Sequence, residues 1–398
     1  MSAQRLRIGL VGAGFLAETR VRCHRRVHGI AAVPFAVVGR GGERAQAFAA
    51  RHDVAHVADD FDAMLAMPEI DVVDLCVPNA LHRRFAERAA LAGKHVICTK
   101  PLTAYVGQDL PPDATDAEVA AVPRAHMLQV ALDDADAMVA ACTGAGVQLC
   151  YGENWVYAPA LRRARELAIT SGGVALELRG GEQHSGSHSP FSRSWRHSGG
   201  GALLRLGAHA IGAVLQWKRE EGLRLHGRPT LPDAVTAEVA DLSRTNGLVP
   251  ENTRVAVGFE EVENWGSVVV HFVDGSRAVC FGSDAVLGGM ESRLSVYGSN
   301  HRFEIDLSPN DMLRAFASRD GTFGREYLME KLDTQAGWST PMPDEDWTSG
   351  HQAMVQAFCE SIVRGVPPAS DGALGRDVVR VVYAAYQSAA EGRRIALE

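Results

Sequence analysis

Near-continuous apolar runs alternate with amphipathic stretches over the first 100 residues. The apolar runs are "RIGLVG", "FAVVGR", "VVDLCVP" and "HVICTKP", and helical patterns such as "GERAQAFAARH" and "ALHRRFAERAALAGK" separate them. Strands that are apolar on both faces are typical of a parallel sheet covered by helices on both sides. We therefore expect a doubly wound α/β domain over residues 1–152, with its ligand site at the carboxyl ends of the strands.

A different pattern follows, in which apolar and polar positions alternate. It is found in "VALELRGGEQ", "TRVAVGFE", "GSVVVHFVDGSRAVCFG", "SRLSVYG" and "HRFEIDL". This alternation predicts a mainly antiparallel sheet with one covered face, in an α+β domain over residues 153–398. We leave open whether the last helix of this domain packs back on the first domain. Residues 105–124 are rich in Pro, Asp and Gly, and we expect them to form a surface insertion.

Composition narrows the classes of function. The 398 residues carry a formal net charge of −8, which gives no general attraction to nucleic acid or to an anionic membrane. No apolar run reaches the length of a membrane span, and the N-terminus leads directly into a strand, so we expect a cytoplasmic protein without a signal peptide. The seven cysteines are scattered without a CxxC pair, which favours reduced thiols over disulfides or a zinc site.

Two glycines stand where the first strand ends. Gly12 allows a tight turn, and Gly14 leaves room for a pyrophosphate against the backbone. The helix that begins near Phe15 and Leu16 then offers its free N–H groups and positive dipole end to the phosphates. A structural turn without a ligand is the alternative. The strand, turn and helix around the motif favour a dinucleotide site.

The end of the second strand bears on which nicotinamide cofactor is bound. An acidic residue there usually binds the ribose 2′-hydroxyl of NAD, whereas an arginine suits the 2′-phosphate of NADP. This chain has Arg40 between glycines and no carboxylate before Glu43. We therefore expect NADP, with NAD as the alternative if Arg40 is only a solvated loop residue.

Several longer motifs carry a family resemblance. "CVPNALH", "ICTKPLT", "ENWVYAP" and "GGGALLRLGAHAIG" together resemble the Gfo/Idh/MocA family of sugar and polyol dehydrogenases, over essentially the whole chain. The resemblance implies an NAD(P)-dependent enzyme that acts on CH–OH groups, and a homodimer or homotetramer. It also implies that Pro78, Asn79 and His82 lie along the nicotinamide ribose and pyrophosphate.

Two residues are implied to do the chemistry. Lys100-Pro101, which follow Thr99, match the family's "EKP" motif, whose lysine contacts the substrate hydroxyl and the nicotinamide edge. His209 matches the family's catalytic acid/base. These residue types suit proton transfer during hydride transfer at neutral pH, and a lysine can also stabilise an alkoxide.

The chain departs from the family pattern at two positions. Thr99 replaces the usual Glu before the lysine, which removes a nearby negative charge. Arg205 replaces the usual Asp, and an arginine cannot act as a base. An arginine facing the site would instead bind a carboxylate, phosphate or ring hydroxyls of the substrate. We expect a variant substrate or a variant proton relay through His209, with loss of activity left open.

Further candidates for substrate contact lie in two segments. Residues 181–201 are dense in His, Ser, Gly and aromatics, as recognition loops are, and the candidates there are His184, His188, Trp195, Arg196 and His197. Trp195 is expected to stack on a sugar face. Glu153, Asn154 and Tyr157 follow the first domain, where either substrate contact or hinge packing fits. The histidine spacing matches no zinc pattern, so no metal is expected.

The residues together with the resemblance indicate an NADP(H)-dependent oxidoreductase that acts on a sugar, cyclitol or glycoside. Two alternatives stay open. One is an elimination or deglycosylation assisted by a retained NAD(P), and the other is a non-catalytic regulator that senses a dinucleotide.

Overall fold

The computed structural model describes residues 4–187, 189–259, 261–308, 313–328, 332 and 334–397. His188, one of the predicted substrate contacts, lies outside these residues. The chain forms two compact units: Met1–Ala104 with Gln129–Tyr157 and Gly350–Val379, and Tyr105–Leu128 with Ala158–Ser349 and Arg380–Glu398. The predicted division at residue 152 differs from these units, because the insertion groups with the second unit and residues 350–379 group with the first.

A six-stranded parallel sheet forms the centre of the first unit. Its strands are β1 (Gln4–Val11), β2 (Ile30–Val38), β3 (His56–Val57), β4 (Val72–Leu75), β5 (His95–Thr99) and β6 (Leu149–Gly152), in the order β3-β2-β1-β4-β5-β6. The apolar residues of β1, β4 and β5 are buried throughout the strand centres, as the continuous apolar runs require. This confirms the predicted doubly wound α/β fold.

The second unit is built on a seven-stranded mixed sheet. Its strands are β7 (Ala175–Gln183), β8 (Pro232–Ala240), β9 (Trp265–Phe272), β10 (Arg277–Ser283), β11 (Glu291–Gly298), β12 (Arg302–Asp306) and β15 (Ile395–Ala396). Strands β13 (Ala315–Ala317) and β14 (Gly337–Ser339) form a separate two-stranded sheet. The order is β12-β11-β7-β10-β9-β8-β15, in which β7 and β10 pair in parallel and the other neighbours are antiparallel. The expectation of a mainly antiparallel sheet is confirmed.

Helices connect and cover both sheets. They are α1 (Phe15–Arg25), α2 (Gly42–Arg51), α3 (Phe61–Leu65), α4 (His82–Leu91), α5 (Asp116–Ala121), α6 (Arg124–Gly144), α7 (Pro159–Ser171), α8 (Trp195–Ser198), α9 (Ala208–His226), α10 (Glu345–Thr348), α11 (His351–Arg364) and α12 (Gly372–Glu391). A π-helical turn, Leu203–Gly207, leads directly into α9. None of the helices in the described part of the chain has the length and apolar character that crossing a membrane requires.

One predicted strand is wrong. Residues 253–259 contain no strand, and Gly258 has a positive φ of 79°. The backbone N–H of Ala256 donates to the Ser185 carbonyl instead, so this segment packs along the loop that follows β7. Its place in the sheet is taken by β8, whose short side chains give only a weak alternating signal.

Candidate active site

The turn after β1 requires a glycine at its first position. Gly12 has φ 112°, and a Cβ built on it would lie 2.3 Å from the carbonyl oxygen of Cys76. The Gly12 N–H donates to the Val38 carbonyl at 2.7 Å. The ends of β1, β2 and β4 therefore meet with backbone against backbone, which no side chain at position 12 would permit.

The N-terminus of α1 leaves space for an anion. Gly14 is the N-cap and makes no side-chain cap, and a Cβ added to it would meet only the Arg44 guanidinium, at 3.9 Å. Phe15 is exposed, Leu16 is half-buried, and the helix packs closely on the sheet through Ala17, which is fully buried. The first-turn N–H groups and the helix dipole fit the pyrophosphate of a dinucleotide.

Two exposed arginines flank this turn. Arg40 follows β2 as predicted, and Arg44 lies in the first turn of α2, with its guanidinium near Gly14. Sequence analysis missed Arg44, although its spacing of four residues from Arg40 at a helix start was a usable signal. Both side chains are suited to bind phosphate groups.

His82 joins two loops at the strand ends. Its ring is 1% exposed, with Nδ1 3.0 Å from the Pro101 carbonyl and Nε2 3.0 Å from the Val77 carbonyl. Burial lowers the pKa of His82, and the facing carbonyls oppose that shift. The ring thus ties the loop after β4 to the Lys100-Pro101 loop. Exposed Pro78 and half-buried Asn79 precede it in the chain and are the more accessible to a ligand.

Lys100 is half-buried and follows β5 directly after Thr99, which pairs with Gly152 of β6. The residue after Gly152 is Glu153, which is fully buried and accepts the Trp155 N–H at 3.1 Å. Burial raises the pKa of Glu153 well above its usual range, while the Trp155 N–H and nearby Lys100 oppose the shift. An acidic partner for Lys100 therefore comes from the neighbouring strand.

The other candidates after β6 are buried. Asn154 is 4% exposed and Tyr157 is 6% exposed. The Tyr157 hydroxyl oxygen accepts the backbone N–H of Ser370 at 2.9 Å. This contact holds the Tyr157 side chain within the first unit.

In the second unit, His209 lies in the first turn of α9. It is 7% exposed, and its Nε2 is 3.9 Å from an Oε atom of Glu182, a buried residue of β7. Glu182 also accepts the hydroxyl hydrogen of Ser292 at 3.1 Å. Glu182, which sequence analysis missed, can hold a protonated His209 and orient its ring.

The start of this helical segment is held by a buried carboxylate. Glu263 accepts the N–H groups of Gly201 at 3.0 Å and Leu203 at 2.9 Å, and the hydroxyl of Tyr386 at 2.9 Å. Burial raises the pKa of Glu263, and these hydrogen bonds oppose the shift. A Cβ on Gly201 would lie 1.8 Å from the Glu263 carbonyl oxygen, so the glycine run permits this contact.

Arg205 is paired inside the protein. Its guanidinium makes two contacts to the Asp284 carboxylate, one at 3.3 Å, and Asp284 is fully buried just after β10. His184 lies 3.7 Å from the same carboxylate, and its Nδ1 accepts the Gly186 N–H at 2.9 Å, which places the ring proton of the neutral form on Nε2. Arg205, His184 and Asp284 therefore form one cluster, in which Asp284 balances the arginine charge.

Trp195 and Arg196, both predicted substrate contacts, make contacts within the protein. The Trp195 ring is 2% exposed, with the Arg124 guanidinium 4.0 Å from one ring centre and the Tyr386 ring edge-on at 5.1 Å. Arg196 pairs with Asp116 of the insertion at 3.1 Å. These contacts attach the insertion to the loop that carries α8.

Among the described residues, no group of three His, Cys, Asp or Glu side chains lies close enough together to hold a metal ion. All seven cysteines are free, and burial raises the pKa of Cys280 to about 12.

A glycine turn at the carboxyl edge of a parallel sheet, with arginines beside it and a lysine at the end of β5, places the first unit in the class of dinucleotide-binding oxidoreductase domains. The chain belongs to the Gfo/Idh/MocA oxidoreductase family. The family model for the NAD-binding Rossmann fold matches residues 6–130, and the one for the C-terminal alpha/beta domain matches residues 182–397. This confirms the resemblance read from the motifs.

Named relatives match only parts of the chain. The 1,5-anhydro-D-fructose reductase of Ensifer adhaerens is 28% identical over 207 residues, 51% of this chain and 54% of that protein. The scyllo-inositol 2-dehydrogenase (NADP(+)) IolU of Bacillus subtilis is 46% identical over 66 residues, 17% of this chain and 20% of that protein. The chain thus spans about half or less of the length of these curated relatives.

A solved structure matches the fold along its full length. GenD2 from gentamicin A biosynthesis, determined in complex with NAD, superimposes with a TM-score of 0.78 at 25% identity, over 100% of this chain and 98% of that one.

Proposed function

We propose that the protein is an NADP(H)-dependent oxidoreductase that transfers hydride between nicotinamide and a secondary hydroxyl or ketone of a sugar, cyclitol or glycoside. The observation that carries the proposal is the carboxyl edge of the first sheet, where Gly12, Gly14 and Lys100 follow strands β1 and β5. The names of the relatives, a sugar reductase and a cyclitol dehydrogenase, support the substrate class.

The preference for NADP is proposed from charge. Arg40 and Arg44 offer two exposed guanidinium groups beside the glycine turn, where an NAD site would present a carboxylate. One relative is named for NADP(+), whereas GenD2 was solved with NAD, so the comparisons leave this choice to experiment.

The cofactor test compares R40D with R84A, which removes an exposed arginine of α4. Loss of one charge-assisted hydrogen bond, about 1.5–3 kcal/mol, should lower kcat/KM for NADP⁺ by roughly 10- to 100-fold in R40D. The value for NAD⁺ should hold or rise, and R84A should match the wild type. An unchanged ratio of NADP⁺ to NAD⁺ in R40D would reject the assignment.

A bound nicotinamide would supply the hydride acceptor or donor. Lys100 would hold the substrate oxygen and give or take its proton at Nζ, and it would stabilise the alkoxide that forms during hydride transfer. His209, held by Glu182, would be the second proton-handling group. Arg205 is proposed to act through the cluster with Asp284 and His184, as a variant of the family's proton-handling set.

The experiment is a panel of sugars, cyclitols, sugar acids and glycosides with each cofactor, followed by the absorbance of reduced nicotinamide. K100M and H209N should each lose turnover by about 10²-fold or more, since each removes a general acid–base group. Product without net nicotinamide reduction would point to redox-assisted elimination. Dinucleotide binding with no turnover of any substrate would favour a sensor.

We also propose a homodimer or homotetramer formed through the outer face of the second sheet. On that face Val269, Val279 and Phe281 are half-buried, while their neighbours along β9 and β10 are fully buried against helical segments that include α9. An apolar band on an open sheet face favours association. Light scattering that gives the monomer mass, and no change in F281E, would reject this interface.

A further inference from the structure

The ends of β5 and β6 bring a lysine and a buried acid together. Thr99 and Gly152 are partners in the parallel ladder, so Lys100 and Glu153 are the next residues on adjacent strands. A Cβ on Gly152 would lie 3.0 Å from the Cys98 carbonyl oxygen and 3.1 Å from the Thr99 Cα. The absence of a side chain at Gly152 thus lets the two strand ends approach closely.

Glu153 lies in a dry environment. Its side chain is fully buried next to Tyr151 and Trp155, which are 0% and 1% exposed. A buried carboxylate is costly unless it is hydrogen-bonded and paired with a positive charge. The Trp155 N–H supplies the hydrogen bond and Lys100 supplies the positive charge, and both act against the rise in pKa that burial causes, in favour of the carboxylate form of Glu153.

Charged and titratable groups near Glu153 include residues of three elements. Lys100 follows β5, the Tyr151 phenol belongs to β6, and Arg20 of α1 approaches Gly152 with its guanidinium. Arg20 is itself 3.7 Å from the buried carboxylate of Asp74. Arg20 thus already has a carboxylate partner, whereas Lys100 lowers the pKa of Glu153.

We propose that Glu153 is a positioning residue for Lys100, whose buried carboxylate holds the amine at the strand ends and keeps it protonated. This rests on the proposed function, in which Lys100 exchanges a proton with the substrate oxygen. Glu153 thereby provides, from the neighbouring strand, the negative charge that Thr99 does not provide beside the lysine. In ketone reduction the ammonium N–H bond breaks, its proton passes to the new alkoxide oxygen, and the neutral amine takes a proton back from water.

The first test is chemical labelling of the protein without cofactor. The chain has only four lysines, at positions 94, 100, 218 and 331, so acetylation by acetic anhydride can be followed at each by mass spectrometry. An opposite charge within about 4–6 Å typically shifts a pKa by 1–3 units. In E153Q, Lys100 should therefore react about tenfold faster or more at a fixed, mildly alkaline pH. Lys94, which donates to two backbone carbonyls elsewhere, is the internal control and should not change.

The second test is the pH profile of ketone reduction. E153Q should lower kcat more than it changes KM, and the alkaline limb should move to lower pH by about one unit or more. E153D keeps the carboxylate, and T99E/E153Q adds one at the position where the family pattern has it. In both variants the alkaline limb should lie nearer to its wild-type pH than in E153Q. A merely structural role for Glu153 would not produce this return.

A neutral isostere suits a buried site, so E153Q should fold, and E153M removes the same charge as a second variant. Unchanged labelling of Lys100 and an unchanged alkaline limb in whichever of them folds would overturn the proposal. Full turnover by K100M would instead overturn the proposed function, so the two failures are distinguishable.

Discussion

The pair of Arg205 and Asp284 allows a quantitative test of how this chain accommodates an arginine at position 205. Asp284 is 0% exposed and the Arg205 side chain is 16% exposed. Removing one partner of a buried ion pair typically costs about 3–5 kcal/mol, because the other charge is left uncompensated. The loss in free energy of unfolding should lie near the lower end of this range for D284N, because the Arg205 side chain that remains retains some access to water. It should lie near the upper end for R205M, because the Asp284 carboxylate that remains has no access to water.

The double variant R205M/D284N removes both charges. Its loss in free energy of unfolding should be much smaller than the sum of the losses in the two single variants. We expect a coupling free energy of about 3 kcal/mol. Arg302 and Glu304 form an exposed pair in the same unit and provide the control. A double-variant cycle with R302M and E304Q should give a coupling free energy of roughly 1 kcal/mol or less.

Urea unfolding followed by tryptophan fluorescence suits this measurement. Trp155 belongs to the first unit and the other five of the six tryptophans belong to the second, where Arg205 lies. Fluorescence therefore reports chiefly on the unit that is perturbed, and circular dichroism shows whether the whole chain unfolds in one transition. Single losses that simply add in the double variant, within about 0.5 kcal/mol, would refute the claim that the two side chains compensate each other.

Further predictions concern the two glycines of the first turn, His82 and Trp195. G12A should destabilise the first unit strongly, because its Cβ would lie 2.3 Å from the Cys76 carbonyl oxygen at a positive φ. G14A has room in the protein, so its melting temperature should stay near the wild type while dinucleotide affinity falls about tenfold or more by calorimetry; equal effects of the two variants would contradict this. Burial lowers the pKa of His82, so its contribution to stability is present above pH 6.5 and is lost as pH falls below that value. The urea midpoint should therefore drop on acidification, less steeply in H82Q than in the wild type. W195A should lower the free energy of unfolding by about 3–5 kcal/mol, and W195F should lower it less, because the Trp195 ring is packed and 2% exposed. A changed KM with an unaltered melting temperature would instead indicate a residue that stacks on a sugar.

Local chemistry made much of the first unit predictable. Gly12, Gly14 and the start of α1 form within a few residues of one another, so the requirements of a tight turn and a helix N-terminus are visible in the sequence itself. The parallel strands were equally visible, because burial on both faces demands continuous apolar runs. Short-range rules therefore sufficed for the turn and helix start at the ends of β1 and β2.

The second unit was less predictable because its contacts join distant segments. Trp195 lies in a segment of recognition-like composition, but its ring contacts Arg124 of the insertion and Tyr386 of the last long helix, which sequence spacing could not reveal. Asp284 and Glu182 carried no motif of their own, and only the pairing of β7 with β10 brings Asp284 beside His184. Residues whose partners depend on strand register cannot be assigned from composition or spacing.

The two departures from the family pattern share a physical logic. A buried site tolerates a change of residue more readily than a change of net charge, because an uncompensated charge costs several kcal/mol in a dry environment. Arg205 stands where the family pattern has an acid, and Asp284 lies against it. Thr99 stands where the pattern has another acid, and Glu153 follows the partner strand beside Lys100. In both cases a neighbouring element supplies the negative charge that the substituted position lacks.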